Sequence, residues 1–312
     1  MNNHDSQSPR DHVPRNHSAS GLSDQEQQLL TVKLPHDLDP VAMESQWQSY
    51  QHVIERFMTR MGEESAMLES MKRVMLVRSL GGVLARVALI PKLGNSILYV
   101  LKKRKLNEIV CHLAGECALM ELSAAAGYRT FCFPNLVRGL LKTGKMRDYP
   151  VERMLDTFEF LNTMMQYPFN DPRVLAQFAR TNGLHGRYKV AGNMNPAAHD
   201  LFKYIALNMF YIGPRMRPDL TPEERHAICG LTVLVSKRMG HSIDGSVLEL
   251  EAFIDAYEAA EMFDRNDQSQ LRREAVEIAQ ASKKALGQIP TILPARIHGY
   301  VPHTVKKILE LE

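Results

Sequence analysis

Between residues 171 and 249 the chain is punctuated as a series of helices. Asp171-Pro172 sets a capping residue before a proline at the first helical position, and Asn195-Pro196 repeats the device. Thr221-Pro222-Glu223-Glu224 reads as a capping box: the Thr221 hydroxyl meets the N–H of Glu224, whose carboxylate reaches back to the N–H of Thr221. Ser246-Val247-Leu248-Glu249 is a second box, and Gly213-Pro214 and Met239-Gly240 read as stops. No run of β-branched alternation lies between turn residues, and no internal repeat recurs at a fixed period. The pattern predicts helices near 41–61, 64–80, 83–90, 95–125, 150–166, 172–188, 196–212, 222–239, 246–263 and 268–286. Residues 1–25 read as a disordered tail and 26–40 as an irregular lead-in holding Pro35 and Pro40. Residues 287–312, with Pro290, Pro294 and Pro302, read as loop and then a short helix. The expectation is an all-α fold with one main core across 26–286, in which the nearly all-apolar stretch 201–212 lies in the middle of the bundle.

Composition narrows the function classes. Over 312 residues, 45% are hydrophobic and 23% charged, ordinary globular usage, and a net charge of +3 is too small to steer the chain to nucleic acid. The cysteines, Cys111, Cys117, Cys132 and Cys229, have neither a CxxC pair nor zinc-like spacing, so reduced core thiols in a cytoplasmic compartment are expected. The N-terminus lacks the apolar region of a secretory signal, and His4, His12 and His17 lie in a polar stretch with nothing to fix a metal geometry. No uncharged run reaches the ~18 apolar residues of a membrane span. Residues 74–105, apolar but broken by Arg78, Arg86, Pro91 and Lys92 and ending in Lys102-Lys103-Arg104-Lys105, read either as packed helices or as a peripheral membrane contact. The number of subunits is not written in the sequence.

The densest polar constellation is Arg180-Thr-Asn-Gly-Leu-His185-Gly-Arg-Tyr188. On a helix Phe178, Asn182 and His185 share a face, and Gly183 and Gly186 leave both sides of the histidine bare. A wide, flat ligand needs that clearance if an imidazole nitrogen is to reach its central metal, although a lone helical histidine is more often a hydrogen-bonded core residue. Upstream, Arg153 and Thr157 stand one turn apart on one face; Arg153 can equally pair with Asp156 while Thr157 bonds its own backbone. Glu223-x-x-His226 matches half of a di-iron carboxylate motif with no second half, so Glu223 and Glu224 are better explained by capping. His112 and Glu116 are spaced to form a hydrogen-bonded pair, and His199 opens a helix, either held by local contacts or turned toward a cofactor.

In their order and spacing these segments resemble the MpaB and latex-clearing-protein (rubber oxygenase) catalytic-domain family. The residues that carry the likeness are Arg153 and Thr157, the run Arg180 to Tyr188, Asp200, Arg217-Pro-Asp-Leu-Thr-Pro-Glu-Glu-Arg225, Met239-Gly240 and Tyr257-Glu258. The resemblance implies a globin-like multi-helix core, with extra helices at both ends, around haem b. It implies His185 as the iron ligand, Arg153 and Thr157 on the opposite, catalytic side, and Arg180, Asn182, Gly183, Gly186 and Tyr188 around the cofactor. The partners would be dioxygen and a hydrophobic substrate, isoprenoid or unsaturated acyl; the alternative is a non-catalytic binding protein for a lipid-like ligand on the same fold. Two departures set rubber aside as substrate: Asp156 stands where rubber oxygenases have a lysine, and Lys189 where they have an arginine.

Overall fold

The computed structural model describes residues 22–64, 114–190, 199–288 and 294–311. These residues are all-α: helices follow one another without a strand among the described residues, and a lone bridge pairs Lys33 with Ser246. The expected helices over 64–80 and 83–90, the segment 74–105, Cys111, His112 and the Asn195-Pro196 cap lie outside the described residues.

The chain enters through α1 (Asp24–Thr31), where an irregular lead-in was expected. Its cause is a capping box in Ser23-Asp-Gln-Glu26: the Glu26 carboxylate accepts from the Ser23 N–H at 2.8 Å and the Ser23 hydroxyl accepts from the Glu26 N–H. α2 (Pro40–Glu64) starts where the Asp39 carboxylate accepts from the N–H groups of Val41 and Ala42 at 2.8 and 2.9 Å. Its buried residues, Met43, Trp47, Tyr50, Ile54, Phe57, Met58 and Met61, recur at steps of three and four and form one apolar stripe. α3, helical over 114–130, outlasts the predicted stop at 125 and crosses α2 closely: a Cβ on Gly115 would stand 2.0 Å from the Met58 carbonyl oxygen. α4 (Pro134–Thr143) was not anticipated; it opens with proline and closes on Gly144 at φ 67°.

α5 (Pro150–Gln166) and α6 (Pro172–Val190) follow the prediction, and the Asp171 carboxylate accepts from the Arg173 N–H at 2.8 Å at the start of α6. α7 (His199–Leu207) runs into a π-helical turn, Asn208–Ile212, and then a further helical turn, Gly213–Arg215. Gly213-Pro214 therefore does not stop the helix. Pro214 stands at the second position of the new turn, directly after the π turn that interrupts the regular hydrogen-bond ladder, and Gly213 is pressed so closely on the backbone of Leu122 that a Cβ would lie 2.9 Å away.

α8 (Pro222–Arg238) holds the centre of the bundle. Ala227 through Ser236 are all buried, and the helix packs most extensively against α2. The stretch singled out in the sequence, 201–212, is less enclosed: Tyr204, Leu207 and Phe210 to Ile212 are buried, while Leu201, Phe202, Lys203, Ile205 and Ala206 are half-buried. Both capping boxes form as predicted, Thr221 with Glu224 on α8 and Ser246 with Glu249 on α9 (Val247–Glu261). α10 (Gln270–Leu286), α11 (Pro294–Tyr300) and α12 (His303–Leu309) complete the bundle, so the C-terminal stretch holds two short helices where one was expected.

One apolar cluster extends from Leu30 to Leu311. Two polar networks are sealed into it. Glu251 of α9 accepts from Arg225 and from the Tyr211 hydroxyl of the π turn, and Arg215 beside it pairs with Asp255 at 2.9 Å. Glu258 accepts from Arg129 of α3 and from the Tyr204 hydroxyl at 2.8 Å. Glu251 and Glu258 thus each have an arginine and a tyrosine hydroxyl, which buried ion pairs need to offset desolvation. Cys117, Cys132 and Cys229 are free and buried, as expected of core thiols.

Candidate functional site

α5 and α6 bring the sequence-predicted residues onto neighbouring helices. The Arg180 guanidinium of α6 donates to the Asp156 carboxylate of α5 at 3.0 Å, tying the helices together. That ion pair settles the partner of Asp156, which the sequence offered to Arg153. Arg153 instead donates to the Thr157 hydroxyl, and Thr157 donates in turn to the Arg153 carbonyl oxygen at 2.9 Å. The two residues do share a face, with Arg153 exposed and Thr157 half-buried.

On α6, Phe178 is 3% exposed and packs edge-on to Trp47, centroids 6.4 Å apart. One turn on, the Asn182 amide donates to the Arg238 carbonyl oxygen at 3.2 Å, closing one of the orphan carbonyls at the end of α8. His185 follows on the same face. Its ring is half-buried, and its Nδ1 is shut away from solvent with no hydrogen-bond partner among the described residues. Burial, then His241 and Arg153, push its pKa below the usual imidazole value. The ring is therefore neutral at pH 7, the form that binds metals.

Gly183 and Gly186 are exposed and helical, and a Cβ on either would meet no atom within 4 Å among the described residues. Packing among the described residues gives no reason for glycine at either position. Gly127 and Gly139 share that openness; what sets Gly183 and Gly186 apart is the histidine between them, whose Nδ1 has no hydrogen-bond partner among the described residues. Arg180 and Asn182 are exposed; Tyr188 lies in the last turns of α6, and its side chain is outside the described set. His199 and Asp200 are exposed at the start of α7.

Sequence reasoning missed two neighbours. Phe202 of α7 lies 6.3 Å from His185, centroid to centroid, and His241 lies 6.1 Å from it. Phe202 and His241 stack at 4.4 Å with their planes 9° apart. The one local mark of His241 is that it follows the Met239-Gly240 stop. Gly240 adopts φ +81° and the His241 N–H donates to the Ser236 carbonyl oxygen at 2.9 Å, which fixes the residue just past the helix end.

The other notable histidine has a structural post: His226 Nδ1 donates to the Leu29 carbonyl oxygen at 2.9 Å and clips α1 to α8. Glu223 pairs with Arg56 at 2.8 Å, and no group of three or more His, Cys, Asp or Glu side chains with metal-site geometry occurs among the described residues. A small apolar crevice lined by Tyr128, Leu286, Ile297 and Val301 lies elsewhere and includes none of the predicted site residues.

As a donor, His185 offers what a single metal ligand needs, a neutral, desolvated imidazole with one nitrogen that has no hydrogen-bond partner among the described residues; Gly183 and Gly186, two positions before it and one after, lie on other sides of the helix and are open to solvent. Among the described residues no helix is long and apolar enough to cross a membrane. No family model matches the chain, and no curated protein or solved structure matches it either.

Proposed function

We propose that the chain is a haem-dependent oxygenase built on a globin-like helical core, with His185 as the protein ligand to the iron and a hydrophobic, isoprenoid or unsaturated acyl molecule as substrate. The observation that carries the reading is the buried Nδ1 of His185, without a hydrogen-bond partner among the described residues, between two glycines that no packing contact among those residues requires. Two helical glycines cost about 1 kcal/mol each relative to alanine, and the resemblance of the surrounding motifs to rubber oxygenases supplies a reason for bearing that cost. Bound haem supplies the one-electron and dioxygen chemistry.

The chain's own residues do the rest. Burial and the positive charge of Arg153 keep the proton off His185, so a nitrogen lone pair is on offer at neutral pH. The Asp156–Arg180 pair holds α5 against α6 and so fixes the Arg153–Thr157 face relative to His185. Arg153, whose guanidinium donates to the Thr157 hydroxyl, carries a fixed positive charge suited to stabilise negative charge developing nearby. Asp156, standing where rubber oxygenases have a lysine, is neutralised by Arg180 and adds no isolated negative charge to the site.

The test is an absorption spectrum of the full chain titrated with haemin. The reading expects a Soret band at one equivalent that is lost or shifted in His185→Ala. Wild-type protein that leaves the spectrum of added haemin unchanged refutes it.

A further inference from the structure

We propose that Phe202 is a latch on the haem site, which covers His185 while the site is empty and has to swing aside before haem can enter; the inference rests on the haem reading above. Three ring distances carry it. Phe202 lies 6.3 Å from His185 with its plane tilted by 55°, His241 lies 6.1 Å from His185, and Phe202 and His241 stack at 4.4 Å with their planes 9° apart. A metal–nitrogen bond of about 2.0–2.1 Å plus the ring radius sets a porphyrin plane about 3.2 Å from the centre of the imidazole that holds its iron. A ring packed on the far face of that porphyrin stands about 3.5–4.0 Å farther out, so it comes no closer to the imidazole than about 6.7 Å. Phe202 and His241 are both nearer than that. The Nδ1 of His185 is shut away from solvent although the residue is only half-buried, so the metal-binding side of the ring is the covered side. While the stack is closed, a flat macrocycle has no room between His185 and the two rings.

The latch can open without moving the bundle. Its helix is anchored, because the buried Tyr204, two residues on, donates its hydroxyl to Glu258 at 2.8 Å. Phe202 itself is half-buried in the first turn of α7, so rotation about its side-chain bonds carries the ring outward with the helix in place. His241 is the fixed seat: its N–H is bonded to the Ser236 carbonyl oxygen at 2.9 Å, behind Gly240 at φ +81°. Swinging Phe202 out breaks one aromatic pair, which weights the closed form by a factor of roughly two to ten. A site that is open only part of the time binds its ligand more weakly in proportion, so the latch lowers the apparent haem affinity by the same factor. It also keeps the neutral imidazole covered as long as no haem is there.

The experiment is stopped-flow absorption at the Soret band, with the full chain mixed against increasing haemin, for wild type, Phe202→Ala, Phe202→Leu and His241→Ala. The first variant removes the latch, and Phe202→Leu, which removes the flat ring but keeps an apolar side chain, is read the same way where the alanine variant does not fold. His241→Ala takes away the seat and leaves Phe202 in place. In wild type the binding rate should level off as haemin is raised, because opening comes to limit it. In Phe202→Ala the rate should rise in proportion to haemin, and the dissociation constant should fall by roughly two- to tenfold. His241→Ala should move both in the same direction. A ring that only fills space does the opposite, since its removal loosens the site and weakens haemin binding. Variants that bind haemin no faster and no more tightly than wild type overturn the latch and leave the haem reading standing. Absence of uptake in wild type and variants alike removes both.

Discussion

Replacing Gly230 with alanine pits two effects of known size against each other. In an open helical position the change gains about 1 kcal/mol, because alanine loses less backbone entropy on folding. At Gly230, in the middle of α8, the new Cβ would lie 2.3 Å from Cζ of Tyr50, 2.4 Å from Cε2 and 2.6 Å from the hydroxyl oxygen. Ordinary contact needs 3.4–4 Å, so the ring must retreat by more than an ångström. Tyr50 is 3% exposed and meets the His226 ring edge-on at 5.8 Å, which leaves it little room. Overpacking of this kind costs typically about 1–3 kcal/mol, and a buried aromatic ring belongs at the upper end. The net expectation for Gly230→Ala is a loss of about 2 kcal/mol, a fall in Tm of roughly 4–8 °C. Gly139→Ala and Gly183→Ala, with nothing within 4 Å, are expected to gain about 0.5–1 kcal/mol instead. Urea denaturation of the three variants, with Tyr50→Leu and the Gly230→Ala/Tyr50→Leu double variant, measures the terms separately. The double variant should recover at least about 1 kcal/mol beyond additivity, since removing the ring's far edge makes the room. A Gly230→Ala protein as stable as wild type, or strict additivity in the cycle, would refute the close approach of α2 and α8 at this point.

Further expectations follow from the buried polar groups and caps. Glu251→Ala strands the Arg225 guanidinium, whose side chain is 11% exposed, and the Tyr211 hydroxyl; it should cost about 3–5 kcal/mol by chemical denaturation, and a loss under 1 kcal/mol argues against the network. Thr221→Ala removes the reciprocal cap of α8 and should cost about 1 kcal/mol, whereas Thr221→Ser should be close to neutral. His185 and His226 have pKa values held below the imidazole norm, first of all by burial. As pH falls through about 6.5 the unfolded chain takes up protons that the folded chain refuses, so their stabilising contribution is whole above that pH and is lost toward the lower folded pKa values. Tm should therefore fall on acidification, and less steeply in His185→Gln/His226→Gln; identical pH profiles would show that neither ring is shielded as described.

What could be read in the chain before folding was what hydrogen bonds locally, and what escaped was set by neighbours distant in sequence. The boxes at Thr221 and Ser246 were legible because donor and acceptor sit three residues apart, whatever the rest of the chain does. The same device at Ser23-Asp-Gln-Glu26 went unread because it abuts a polar tail, although its physics is identical. Asp156 shows the opposite case: Arg153 is its nearest guanidinium along the helix, yet Arg180 of the adjoining helix takes it. Asn182 was read as a cofactor contact, and its amide is bonded to the backbone carbonyl oxygen of Arg238, an acceptor that every residue carries and no sequence marks. His241 carries no motif at all; it meets His185 because a glycine turn and a stack on Phe202 aim it there. The glycines carry the argument furthest. Gly230 and Gly183 are both glycines inside helices, and only the tertiary surroundings distinguish them. One is held against a buried ring, so packing explains it; the other faces open space, so its helix-weakening cost calls for a reason outside the fold. If Gly183→Ala raises Tm and at the same time weakens haemin binding, that reason is clearance beside His185; if it raises Tm and leaves haemin binding intact, the glycine says nothing about function and the haem reading loses one of its supports.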